Sequence, residues 1–163
     1  MYDSSYYNDF DDLDLAFLFI MLICIALISI ASYVINSLIY YQASKANGFS
    51  KQAYIAWIPI AGVYSLFLLT AKGDDDATIR SAAIKNVIIY AVLTIVSLIP
   101  YLFLDIIASI GLLGFIFHFT YRLFYRWTGG TGKAVLYTIL SFITLGLFYA
   151  IYGLIKMNKP FVA

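Results

Sequence analysis

Residues 15–40 read LAFLFIMLICIALISIASYVINSLIY, a run of 26 residues without one charge. As a helix rising 1.5 Å per residue it is about 39 Å long, against about 30 Å of hydrocarbon in a bilayer. A run of that length and polarity is a membrane-spanning helix with room to tilt. The residues before it hold five aspartates, Asp3, Asp9, Asp11, Asp12 and Asp14, and no base. A secretory signal has a basic start and a shorter apolar core. The first helix is therefore expected to stay in the chain, behind an acidic and aromatic flank (residues 1–14) outside the membrane. Asp9, Asp11, Asp12 and Asp14 lack the glycine and distal glutamate of an EF-hand loop, so no metal or other cofactor is expected.

Composition widens the same conclusion. Of 163 residues, 63% are hydrophobic and 12% charged, half the charged share of a soluble domain. Residues 15–163 read as one polytopic membrane domain. Cys24 is the single cysteine and lies mid-span, so no intrachain disulfide forms.

Outward from the first span come four further apolar stretches. Residues 53–71, AYIAWIPIAGVYSLFLLTA, are interrupted by Pro59 and Gly62; proline removes a backbone donor and clashes with the preceding turn, so no straight helix is expected. Residues 84–99 follow a helix start at Asp74–Asp76, where carboxylates suit the free N–H groups. Residues 106–121 carry Gly111 and Gly114, which permit close helix contact. Residues 135–155 carry Gly146 near their centre.

The bases decide how these stretches cross. They are Lys45, Lys51, Lys72, Arg80, Lys85, Arg122, Arg126, Lys133, Lys156 and Lys159. If all five stretches span, the bases divide six to four and neither orientation has a positive-inside bias. If 53–71 and 135–155 enter and leave on one side, all ten bases fall on the cytoplasmic side. Only aspartates, Asp105 among them, then remain outside. The expected fold is all-α: three spans plus two re-entrant or half-inserted hairpins broken at Pro59, Gly62 and Gly146. The N-terminus is outside and the C-terminus cytoplasmic in a cell membrane. Five spanning helices are the alternative. An offset of 84 pairs Tyr41 with Tyr125, Gly48 with Gly132, Ile55 with Ile139, Gly62 with Gly146 and Lys72 with Lys156. Five identities in 33 positions, where chance gives two or three, would fit a duplication with repeats near 15–72 and 100–156.

Few residues carry chemistry. Asp105, an ionisable residue between two spans, reads as either an interfacial corner or a proton or ion site. His118 lies 13 residues further on, about 20 Å along a helix, too far to pair with it. Gly129-Gly130-Thr131-Gly132-Lys133 looks like a phosphate loop, but Trp127 and Ala134 stand where that motif needs glycine and Ser or Thr. No acid–base pair, nucleophile–base pair or metal cluster is apparent, so no enzyme is expected, nor a nucleic-acid partner.

The string Thr144-Leu145-Gly146-Leu147-Phe148, followed by Tyr152 and Lys156, resembles a T-L-G-(I/L)-(Y/F) turn in small, uncharacterised prokaryotic membrane-protein families. There it sits inside a short apolar hairpin ending in bases. Trp57-Ile58-Pro59-Ile60 is similar to an aromatic-I-P-(I/V) break in another such group. The resemblance implies broken hairpins and a prokaryotic source, and assigns no catalytic residue.

Three roles fit this reading. The first is a scaffold that shapes membranes through leaflet-inserted hairpins, with ten bases drawn to anionic headgroups and Tyr40, Tyr41, Trp57, Tyr121, Tyr125 and Trp127 as interfacial anchors. Backbone broken at membrane depth needs protein around it, so a homo-oligomer or larger complex is expected. The second is a subunit of a small channel or transporter, with Asn36, Thr94, Ser97, Thr120 and Thr144 as polar lining. The third is an accessory or immunity protein for a membrane-active partner.

Overall fold

The structure, a computed structural model, describes residues 5–99 and 101–163, and the side chains of 14–99, 101 and 103–163. The side chains of the aspartates and aromatics before residue 14, and Pro100, lie outside those descriptions. Among the described residues the secondary structure is entirely helical.

Helix α1 is Ser5–Ala46, α2 Val63–Thr70, α3 Asp76–Ser97, α4 Leu102–Thr128, α5 Thr131–Ile143 and α6 Leu147–Lys156. A 3-10 helix, Ala53–Trp57, precedes α2. Three helical stretches are long and apolar enough to cross a membrane: Asp14–Ala46, Asp76–Ser97 and Phe103–Thr128. The shortest has 22 residues, which at 1.5 Å per residue is about 33 Å. Helices α5 and α6, with 13 and 10 residues, reach about 20 and 15 Å. The chain is thus an all-α membrane protein with three spans and two shorter apolar hairpins.

The chain divides into two compact units after Ile35. In the first, side chains 14–34 are all exposed, apolar residue after apolar residue. That pattern belongs to a helix whose surroundings are hydrocarbon or another chain.

The second unit has a core. Phe67 of α2 is 1% exposed and sits edge-on to Phe119 and Phe115 of α4 at 4.7 and 5.4 Å, and against Tyr90 of α3 at 6.1 Å. Phe124 of α4 lies within 6.1 Å of Trp127, Tyr137, Phe148, Tyr149 and Tyr152, ring centre to ring centre. These aromatic contacts fasten α2 to α3 and α4, and α5 and α6 to α4. The tightest approach is at Gly153 of α6, where a Cβ would stand 2.7 Å from Ile39 at the end of α1. Gly111 faces Leu93 of α3 at ordinary contact distance, and Gly114 faces open space.

One end of this unit collects the basic segments. Arg126 near the end of α4 donates from Nη1 to the Leu69 carbonyl at 2.7 Å, and from Nε to the oxygen of Ala163 at 3.3 Å. Its guanidinium also covers the Phe161 ring at 4.5 Å. The Phe161 N–H donates to Asn47 Oδ1 at 2.7 Å, tying the end of α1 to the same corner. Asp105 is in the first turn of α4, where a carboxylate suits the helix dipole, and accepts a 3.2 Å hydrogen bond from Ser109 Oγ.

Candidate functional site

Two features are candidates for function: the hairpin breaks and a cleft at the basic end. In the first hairpin Ile58 is extended (φ −91°, ψ 118°), as a residue before proline should be. Ile60 follows at φ 68°, with the Ala61 N–H donating to the Pro59 carbonyl at 2.8 Å and the Gly62 N–H to the Ile58 carbonyl at 2.9 Å. A β-branched residue at positive φ is a genuine outlier, and Ile60 is 95% exposed. The approach to this break is shorter than half a span. A 3-10 helix of five residues leads in and an α-helix of eight leads out, because Pro59 stops the first arm from extending.

The second hairpin turns differently. The Gly146 N–H donates to the Ser141 carbonyl at 2.7 Å and the Leu145 N–H to the Phe142 carbonyl at 3.2 Å. This is a Schellman pattern with Leu145, at φ 50°, where glycine is usual. Gly146 is also left-handed (φ 88°), and Leu145 is 95% exposed. Thr144 Oγ1 accepts the Phe148 N–H at 3.0 Å and donates to the Leu140 carbonyl at 2.8 Å. The turn therefore satisfies much of its own backbone.

Depth can be read along α4. Phe142, three residues before the tip at Leu145, packs on Phe117 with ring centres 5.1 Å apart. Leu145 and Ile116 line one apolar cavity of about 340 Å³, with Tyr40, Leu66 and Tyr149. Phe117 stands two residues past the midpoint of α4 and 11 residues before its end at Thr128, or about 17 Å along the helix. The second hairpin thus reaches the middle of the neighbouring span.

The cleft lies on another face of α4 and measures about 740 Å³. Lys72, Asp74, His118, Arg122, Arg126 and Thr131 are among its lining residues. Tyr121 and Tyr125 add ring faces. Among the described residues the one ion pair is Arg80 to Asp76, at 3.3 Å. Half-buried Arg122 has no such partner, and Arg126 four residues on repeats its charge on the same helix face.

Sequence reading grouped all ten bases as facing headgroups. The structure sorts them. Lys45, Lys51, Lys72, Lys85, Lys133 and Lys159 are exposed, whereas Arg80, Arg122, Arg126 and Lys156 are half-buried. Arg126 is half-buried and lines the cleft, with its guanidinium bonded to the Leu69 carbonyl and over the Phe161 ring. Trp127 is a correction: it is buried against Phe124 and Tyr152 and is no interfacial anchor. His118 joins the cleft, edge-on to Phe119 at 5.2 Å. Its place was hidden because Lys72 is far from it in sequence. Asp105 is 13 residues from His118 and is not among the cleft residues. The Gly129–Lys133 string follows helix α4, not a strand, so it forms no phosphate loop. Of the proposed polar lining, Thr94, Ser97 and Thr144 each donate to a carbonyl of their own helix. Among the described residues no three His, Cys, Asp or Glu side chains gather as a metal site. No family model, curated protein or solved structure matches the chain.

Proposed function

We propose that the chain is a non-enzymatic membrane protein that embeds two half-depth hairpins in one leaflet and shapes or scaffolds the bilayer as an oligomer. The observation that carries this is the second hairpin's break, which packs at the midpoint of α4 with a fully exposed leucine at its tip. A hairpin stopping there adds volume to one leaflet and none to the other. The exposed tips of both hairpins, Ile60 and Leu145, suit contact with acyl chains. In this reading the basic end is cytoplasmic and takes anionic headgroups, and the acidic N-terminal flank is outside. The hydroxyls of Thr94, Ser97 and Thr144, already spent on their own helices, weigh against a transport path.

The test has two arms. A single cysteine at Ala77 or Gly130, in a chain with Cys24→Ser, is labelled with an impermeant maleimide in intact cells and after lysis. Protection in intact cells at both sites is expected, with a cysteine at Asn8 labelled at once. Purified protein reconstituted in liposomes is expected to tubulate or shrink them without passing solutes. Labelling of either site in intact cells, or solute flux without shape change, would replace the scaffold by a five-span channel or carrier subunit.

A further inference from the structure

The cleft at the basic end is more than a charged surface. It has walls from the α2–α3 connection (Lys72, Asp74), from the last turns of α4 (His118, Arg122, Arg126) and from the first residue of α5 (Thr131). We infer that it is a binding site for one phosphate group, carried by a lipid headgroup or free in solution. The inference deepens the reading above, since it takes the basic end as the headgroup side, but it does not require that the hairpins bend membranes.

Four observations converge. First, Arg122 is half-buried without a carboxylate partner, and a guanidinium withdrawn from water needs an anion to offset the lost hydration. Second, the cleft holds Lys72, Arg122 and Arg126 against Asp74 and the Ala163 oxygen that Arg126 already uses, an excess of positive charge that the fold holds together although like charges at i and i+4 repel. Something must compensate for that arrangement. Third, α5 begins at this cleft. Its N-cap is Gly130, without a side-chain cap, so the first N–H groups of a 13-residue helix present the positive end of its dipole there. A Cβ on Gly130 or Gly132 would meet no atom within 4 Å, so a ligand can approach that end. Fourth, the cleft measures about 740 Å³, within the range of small-ligand sites, so it admits a phosphate together with the group that carries it.

The residues divide the work. Arg126 spends Nη1 on Leu69 and Nε on Ala163, which fixes it as a wall of the cleft. Arg122 supplies the planar fork that matches phosphate oxygens. Lys72, exposed at the rim, is the point charge that closes over an arriving anion. The glycine-rich turn that imitates a phosphate loop in sequence would thus serve phosphate by a different route, as the uncapped start of a helix.

The test uses full-length protein in detergent micelles, with calorimetric titration of inorganic phosphate, glycerol 3-phosphate, and a short-chain phosphatidic acid below its micelle concentration. Wild type is expected to bind at least one of them. Arg122→Gln and Lys72→Gln should each weaken binding about tenfold, the size expected for losing a charged hydrogen bond. Arg122→Lys should recover part of the loss. The pair Lys51→Gln with Lys159→Gln removes more charge outside the cleft and should leave affinity near wild type. Equal binding by lipid and free phosphate would make the source a soluble phosphate; binding by the lipid alone would make it a headgroup. Equal weakening by the cleft and control variants would overturn the site in favour of diffuse attraction, and so would absence of binding to all three probes. If Arg122→Gln does not fold, Arg122→Lys and Lys72→Gln carry the comparison. Liposome imaging of Lys72→Gln separates the two ideas: loss of binding with shaping retained leaves both standing, and binding by wild type that shapes nothing leaves the cleft and removes the scaffold.

Discussion

The two apolar hairpins share a plan and differ in how they are built. The first is short, held by a buried run around Phe67 and by the bond from Arg126 to Leu69, and reverses through a strained isoleucine next to a proline. The second has two real α-helical arms, is held by many rings around Phe124, and reverses through a self-bonded Schellman turn. At the offset of 84, Gly62 aligns with Gly146, yet Gly146 is left-handed (φ 88°) and Gly62 is not (φ −57°). Equal letters at the break therefore do not mean equal turns. The common feature is a large aliphatic side chain at each tip, held at positive φ and 95% exposed. Two different turns that present the same kind of residue point to the tip as the part that does something.

The largest expected effect is at the first hairpin's anchor. Phe67→Ala should lower unfolding free energy by about 3–5 kcal/mol, read by denaturant titration in mixed micelles. Its partners on α3 and α4 cannot collapse into the hole without moving both spans. An effect below that of a surface substitution would mean the first hairpin is not docked as described. Next is the second hairpin's closest contact. Gly153→Leu places a side chain where even a Cβ lies 2.7 Å from Ile39, and should cost about 1–3 kcal/mol as an overpacked core does. Gly114→Leu, facing open space, is its control and should cost little.

Sequence alone carried the all-α fold, the count of three spans and the shorter apolar helices, because hydropathy leaves a linear trace. It did not carry Gly153. The motif Thr144–Lys156 drew attention to Gly146, while the glycine that sets helix spacing sits seven residues later with no local signature. Gly111 and Gly114 looked like the close-contact pair, and only Gly111 touches a neighbouring helix. The cleft was hidden for the same reason. Lys72 and Arg122 are 50 residues apart, and their meeting depends on α2 lying beside α4, which Phe67 and Arg126 determine. The positive φ of Ile60 and Leu145 ran against residue preference, so no propensity argument could have found it.

That strain gives the third test. Relieving it with glycine should stabilise the chain, by about 1 kcal/mol at Ile60 and less at Leu145, since a β-branched residue tolerates positive φ least. Thermal unfolding of Ile60→Gly and Leu145→Gly measures both. A tip that is only a turn would leave liposome shaping intact in the stabilised variants; a tip that works through its side chain would lose shaping while gaining stability. The smallest effect lies outside both hairpins. Asp75, the N-cap residue of α3, is exposed, and Thr78 beside it holds its carboxyl below the usual range. A carboxyl depressed in the folded chain contributes fully above its ordinary value of about 3.9 and loses that contribution as pH falls through the lower folded value. Asp75→Asn should therefore flatten the acid limb of a stability–pH profile slightly, by lowering the neutral region a little and leaving the most acid region unchanged.

The bond from Phe161 to Asn47 joins residues 114 positions apart, and the bond from Arg126 to Leu69 joins residues 57 apart. At about 5–20 residues per second of synthesis, the first of these waits about 6–23 s after Asn47 has been made. During that interval the end of α1 and the first hairpin already exist, while the segment that latches the corner does not. The basic corner is thus the last part of the second unit to close, and a ribosome halted before residue 161 would hold a nascent chain whose spans are laid down and whose corner is still open.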